Sequence, residues 1–201
     1  RMGAAAFALE VGGEVRARGS RPDGTAWRVA VEAPTPGSRT IFRVLDLRDE
    51  AIATSGDYRN FHEIDGVRYS HLLDPRSGLP IPWQGFSVSV LHREAARADA
   101  WATALSVLGP DEGSSLADSL ELAVLFVVQG EAGGYEARPT AAMAMRMERS
   151  PGLNLGFRSP AGQCKPGRPE RHRKCDWQRG ERNFLTPKVP STREEQSADC
   201  G

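Results

Sequence analysis

Hydrophobic periodicity in this chain ends near residue 148, so whatever packs into a core must come from the residues before it. From Ser150 onward Gly, Pro, Arg and Lys dominate, as in Gly162-Gln163-Cys164-Lys165-Pro166-Gly167-Arg168-Pro169-Glu170-Arg171. A segment without apolar period cannot bury enough surface to offset the entropy of ordering it. Residues 149–201 are therefore expected to form a disordered, basic, Pro- and Gly-rich tail. A frameshifted or fused end accounts for such a tail better than a basic arm that binds lipid headgroups or nucleic acid. Residues 1–148 suffice for one domain with a sizeable core. The 26 Lys and Arg balance 26 Asp and Glu, which favours neither nucleic acid nor an acidic partner. No run of 18 apolar residues is present, so no segment has the length to cross a membrane as a helix. Cys164, Cys175 and Cys200 all lie in the tail, at spacings that match no zinc pattern.

Before the tail, strand patterns dominate. Phe7 to Arg18 and Trp27 to Glu32 read as two strands with a turn at Asp23-Gly24. Trp27, Val29 and Val31 alternate with Arg28, Ala30 and Glu32, which marks one buried face. Arg43 to Ala53 supplies one or two more strands. Phe61 to Ile64 and Val67 to Ser70 flank Asp65-Gly66, the signal of a tight hairpin. Phe86 to Leu91 alternates again. A helix from about Glu94 stops at Gly109-Pro110, and a shorter one spans about Gly113 to Leu120. The run Leu122 to Val128 is a buried strand, and Ala141 to Met147 reads as a last strand. The class is α+β, a mostly antiparallel sheet with helices packed on one side.

Two segments carry polar groups that this fold does not require. Thr54-Ser55-Gly56-Asp57-Tyr58-Arg59-Asn60 and Tyr69-Ser70-His71-Leu72-Leu73-Asp74-Pro75-Arg76-Ser77-Gly78 gather hydroxyls, a histidine, arginines and aspartates within 25 residues. Such groups suit a phosphate ester: donors for its oxyanions, a base and positive charge. Downstream, Asp99 and Thr103 stand four apart on the predicted helix and leave the same face. A carboxylate beside a hydroxyl is hard-oxygen chemistry suited to magnesium, and it is also the pattern of an ordinary surface pair. Gly12 and Gly13 weaken a strand unless a ligand passes close or a bulge needs them. Arg59 is placed to pair with phosphate, with Asp57 or with Glu63, and Arg76 reads as solvated.

Together with Val11-Gly12-Gly13-Glu14-Val15-Arg16, Ser87-Val88-Ser89-Val90 and Ala98-Asp99-Ala100 through Leu108-Gly109, these segments resemble the C-terminal half of the ApbE-type FAD:protein FMN transferases, from about Leu9 to about Val128. The resemblance implies a T-fold-like architecture whose N-terminal part lies outside this sequence, with a free sheet edge and exposed apolar surface as the consequence. The start, Arg1 to Leu9, runs straight into a strand and lacks a cleavage site, so it reads as the middle of a longer protein rather than as a signal peptide.

The resemblance further implies transfer of FMN from FAD to a threonine or serine hydroxyl of another protein, with release of AMP. His71 is then the base, because imidazole changes charge near neutral pH, and Asp74 orients it or a metal-bound water, or caps a turn before Pro75. Asp99 and Thr103 match magnesium ligands. Gly12, Gly13, Ser55, Gly56, Tyr58 and Arg59 contact the flavin nucleotide or shape its pocket. The acceptor is expected to be a membrane redox subunit and the location periplasmic or at the cell envelope. An FAD pyrophosphatase giving FMN and AMP, or a non-catalytic flavin-binding remnant, are the alternatives on the same residues.

Overall fold

A computed structural model describes residues 3–149, apart from 57, 59, 60, 65, 66, 83, 84 and 132; the expected tail lies outside the described residues. The strands are β1 (Phe7–Val11), β2 (Glu14–Arg18), β3 (Trp27–Glu32), β4 (Ile41–Leu47), β5 (Ala51–Gly56), β6 (Phe61–Ile64), β7 (Val67–Leu73), β8 (Pro80–Pro82), β9 (Ser87–His92), β10 (Ala123–Gln129) and β11 (Tyr135–Pro139). Helix α1 spans Ala95–Ser119 and α2 spans Ala141–Arg149. The main sheet has the order β1-β2-β5-β9-β10-β11, and its described pairings are all antiparallel. A β3–β4 hairpin and a three-stranded β6-β7-β8 sheet complete the described strands.

Strand alternation gives the main sheet two apolar faces. On one, Ala53, Val88, Val90, Val124 and Phe126 pack against Ala98, Ala102, Leu105 and Ala117 of α1. On the other, Ile52, Leu91, Leu125 and Val127 pack against Val31, Leu45 and Leu47 of the hairpin and Met143 of α2. β3 buries Val31 and half-buries Trp27 and Val29, as its alternation predicts. The α+β class with an antiparallel sheet is thus as expected, and both helices recognised in the sequence lie on one face. They form a single run broken at Gly109, whose backbone (φ 80°, ψ 173°) leaves helical space. The second half opens on Pro110, which suits a first helical position because it has no N–H to leave unpaired.

Four segments differ from the sequence expectation. Phe7 to Arg18 is a hairpin and not one strand, because Gly12 and Gly13 turn the chain so that Val11 faces Glu14. β8 and β11 carry prolines and little β-branching, so neither announces itself. Ala141 to Met147 is helical. The alternating Met143, Met145 and Met147 imitate a strand period, but Ala and Met favour helix, and Thr140 caps it. The buried Thr140 hydroxyl donates to Leu122 O (2.7 Å) and accepts from the N–H groups of Val124 (3.0 Å) and Met143 (3.4 Å). We expect Thr140→Val to lower the unfolding free energy of the chain by about 1–3 kcal/mol, since it removes a cap and strands buried backbone groups. A urea midpoint unchanged from wild type would show that the cap is dispensable.

At the far end of α2, Arg146 pairs with the buried Glu50 between β4 and β5. Burial raises the Glu50 carboxyl above its usual value against the opposing pull of Arg146. β1 is an edge strand among the described residues, and Leu9 and Val11 are 57% and 66% exposed. No described helix is long and apolar enough to cross a membrane.

Candidate active site

Antiparallel pairing decides which motifs meet. β5 runs antiparallel to β2, with Arg16 opposite Ala51 and Val15 opposite Ile52, so Ser55 and Gly56 end at the side of the sheet where the β1–β2 turn lies. β9 starts at that side, with Ser87 opposite Gly56. The first half of α1 crosses this region and brings Thr103 Oγ1 to 3.3 Å from Ser55 Oγ. Asp99, one turn earlier, is exposed and makes no hydrogen bond or ion pair among the described residues. One residue back along β5, the Thr54 hydroxyl bonds that of Ser89 across the β5–β9 pair at 2.8 Å.

Gly12 and Gly13 lie in the β1–β2 turn and not inside a strand. Both have positive φ, 68° and 109°, which a two-residue hairpin turn demands and which only glycine adopts without strain. The turn thus gives a backbone reason for both glycines. Gly56 has a different reason. A Cβ there would sit 2.7 and 2.8 Å from ring carbons of Tyr58 and 3.2 Å from Ser87 Cβ, so the glycine makes room for the buried Tyr58 ring. We expect Gly56→Ala to destabilise the chain by about 1–3 kcal/mol through overpacking and to alter the near-UV signal of Tyr58. Unchanged stability would mean that the ring swings aside freely. Arg59 and Asp57 lie outside the described residues.

His71 sits on β7, where side chains alternate. Ser70 is buried, Leu72 half-buried and His71 exposed. Ser70 and Leu72 face a narrow crevice that Gly56, Ile81, Phe86 and Ser106 also line. Ser106 lies three residues beyond Thr103 on α1, so β7 and β5 are seated on the helix that carries Asp99 and Thr103. His71 lies on the other face of β7, the face shared by Tyr69 and its cross-strand partner His62.

Asp74 caps the turn after β7. Its carboxylate accepts from the backbone N–H of Arg76 (2.9 Å) and from Nε and Nη2 of the Arg76 guanidinium (both 3.0 Å). Its carbonyl accepts from Ser77 and Gly78 N–H at 3.2 and 2.7 Å. The Arg76 hydrogen bonds hold the Asp74 carboxyl below the usual carboxylate range. Arg76 is exposed as expected, but it is paired, with Asp74 and at 3.8 Å with Glu112.

Among the described residues no three His, Cys, Asp or Glu side chains gather into a metal cluster. The oxygen donors that do converge are Thr103 Oγ1 and Ser55 Oγ, with the Asp99 carboxylate a turn away. This set fits magnesium in kind, since that ion is commonly held by one or two carboxylates and completes its shell with water and substrate phosphate.

One feature escaped the sequence reading. An open cleft of about 540 Å³ lies between Pro36, Gly37, Ser38 and Arg39 of the β3–β4 connection and the aromatic pair Tyr58 and Phe61. Pro34-Thr35-Pro36-Gly37 signals a turn, but nothing local says that the turn faces β6.

Comparison with known proteins points to one family. The profile of the ApbE family matches residues 1–126. A curated FAD:protein FMN transferase of Vibrio cholerae is 43% identical over 130 residues, which covers 65% of this chain and 39% of that protein. The apo crystal structure of the Pseudomonas stutzeri flavinyl transferase ApbE superposes with a TM-score of 0.61 at 40% identity, over 72% of this chain and 44% of that one. An apbe protein of Thermotoga maritima gives 0.59 at 30% identity, over 70% and 44%. The chain spans about two fifths of the length of the curated relatives it matches. With the family profile covering more than half of its residues, the chain belongs to the ApbE family.

Proposed function

We propose that the protein takes part in transfer of FMN from FAD to a threonine or serine hydroxyl of an acceptor protein, with magnesium and with release of AMP. The observation that carries the reading is the Ser55–Thr103 contact, which joins two family motifs 48 residues apart beside Asp99. The names of the relatives support flavin transfer, and the oxygen donors of α1 and β5 support the metal.

In this reaction the acceptor oxygen forms a bond to the phosphorus next to riboflavin. The P–O bond to AMP breaks, and AMP leaves with the electron pair. His71 accepts the hydroxyl proton, its exposure leaving it open to an incoming polypeptide. Asp99 and Thr103 would hold magnesium, which when bound offsets negative charge on the diphosphate. Asp74 fixes the turn after β7 and so the exit of the strand that bears His71. Ser55, Gly56 and Tyr58 shape the nucleotide side of the site. We further propose a location in the periplasm or cell envelope and a membrane redox subunit as acceptor, on the family resemblance alone.

The test is a chimera in which this chain replaces the matching segment of the Vibrio cholerae relative, incubated with FAD, magnesium and a threonine-bearing acceptor. Covalent flavin fluorescence on the acceptor is the expected result. Free FMN and AMP without labelled acceptor would replace transfer by pyrophosphatase activity. Neither product would leave a flavin-binding remnant.

A further inference from the structure

We propose that Ser106 is a positioning residue: through one buried water it ties α1 to Ser70 and so sets where β7 holds His71. The inference rests on the transfer reading only in the purpose given to that placement.

The described β ladder thins out at His71. β6 pairs with β7 from Ile64 and Val67 to Phe61 and Ser70, so its register stops one residue short of His71. On the other side β8 pairs at Tyr69 and again at Leu73, with the register broken between them. Among the described residues, His71 and Leu72 thus have no cross-strand register partner on either side. The Leu72 N–H turns instead to the Ser70 hydroxyl, which accepts at 3.2 Å, a local bond of the kind serine offers where a ladder is missing. Ser70 is buried. What it rests on therefore decides where the next residue sits.

It rests on the crevice against α1. Ser106 lines the same crevice, is only 4% exposed, and its Oγ makes no hydrogen bond among the described residues, neither to Ser70 nor back to its own helix. A buried hydroxyl in that state is costly unless something small and polar meets it. The crevice leaves about 10 Å³ for the centre of a water molecule, so one water fits and no part of a nucleotide does. Ser70 Oγ already accepts from Leu72 and has its hydrogen to give. The water accepts that hydrogen and donates to Ser106 Oγ, with the Gly56 backbone as a further polar neighbour. Leu72, Ile81 and Phe86 close the remaining walls with apolar groups. The chain of bonds runs from Ser106 through water and Ser70 to the Leu72 N–H. It joins the helix that carries Asp99 and Thr103 to both neighbours of His71, and a water-bridged contact holds nearly as well as a direct one.

Amide exchange in the full chain, without FAD or metal, is the first test. Ser106→Ala should speed exchange at Leu72 about tenfold and leave the Val88–Phe126 pair of the β9–β10 ladder unchanged. In a Ser70→Ala background the same substitution should add nothing, because the bridge is already cut. If the Ser106 hydroxyl has no partner in solution, Ser106→Ala leaves exchange at Leu72 as it was or slows it, which would overturn the proposal. In the chimera Ser106→Ala should lower kcat about tenfold or more with KM for FAD unchanged, the mark of a displaced reacting group. It should add no loss to His71→Ala, since it acts through that histidine. Equal losses with and without His71, or a raised KM with kcat intact, would reduce Ser106 to packing and overturn its positioning role. A parent chimera that transfers no flavin, beside the expected exchange pattern, would sink the transfer reading and leave the bridge between α1 and β7 standing.

Discussion

Asp99→Ala in the chimera is expected to lower magnesium-dependent flavin transfer about a thousandfold, the several kcal/mol that metal assistance contributes when a diphosphate is cleaved. Its melting curve should stay near that of the parent. The side chain is exposed and has no partner among the described residues, while the packed face of the same helix is made by Ala98, Ala102 and Leu105. Removing the carboxylate therefore opens no cavity, and a surface substitution of this kind changes stability by about half a kcal/mol or less. The measurement is turnover against magnesium concentration for both proteins, with a thermal melt for each. Near-normal turnover at ordinary magnesium by a folded variant would reduce Asp99 to a solvated surface acid. Thr103→Ala should show a smaller loss. Its hydroxyl is only one neutral donor, and Ser55 Oγ stands 3.3 Å away.

How much of this was legible in the sequence depended on whether the signal was local. The β6–β7 hairpin, the break at Gly109-Pro110 and the alternation of β3 follow from two to six neighbouring residues, and all three appear in the structure. The Gly12-Gly13 turn was also local, yet the two glycines were read as part of one strand, with a close ligand or a bulge as the reason for them. Apolar alternation continues on both sides of it, so the period alone does not show that the chain reverses. α2 was missed because three methionines at even spacing outweighed helix propensity. What settles its form is Thr140, whose cap depends on Leu122 and Val124, distant in sequence and adjacent only in the fold. Long-range contacts explain the site as well. Asp99 and Thr103 were paired from helical spacing, but that Thr103 meets Ser55 follows from α1 lying across β5. Asp74 had more than one open role in the sequence, and its bonds to Arg76 are those of the turn. The Arg39 cleft had no sequence signal, because its two walls come from connections about twenty residues apart that only the β3–β4 and β6–β7 hairpins bring face to face.

His71→Ala should cost about a hundred- to ten-thousandfold in the same transfer assay, the usual worth of a positioned general base, and it should do so through kcat. The acceptor hydroxyl is a poor nucleophile until its proton has somewhere to go. Of the two segments that β5 and β7 bring onto α1, only β7 carries an imidazole. Stability should barely change, since His71 is exposed on β7 while the neighbouring Ser70 and Leu72 carry the packing against the crevice with Phe86 and Ser106. A histidine that serves only the structure gives the opposite result, a lower melting temperature and near-normal turnover. One readout separates a base from a group that merely positions the strand. Added imidazole should restore part of the lost rate to His71→Ala and none to Asp99→Ala. If imidazole fails to rescue, the proton is taken by another group. The histidine nearest to succeed it is His62, which shares that face of the β6–β7 hairpin opposite Tyr69. In that case His62→Ala would show the kinetic loss predicted here for His71.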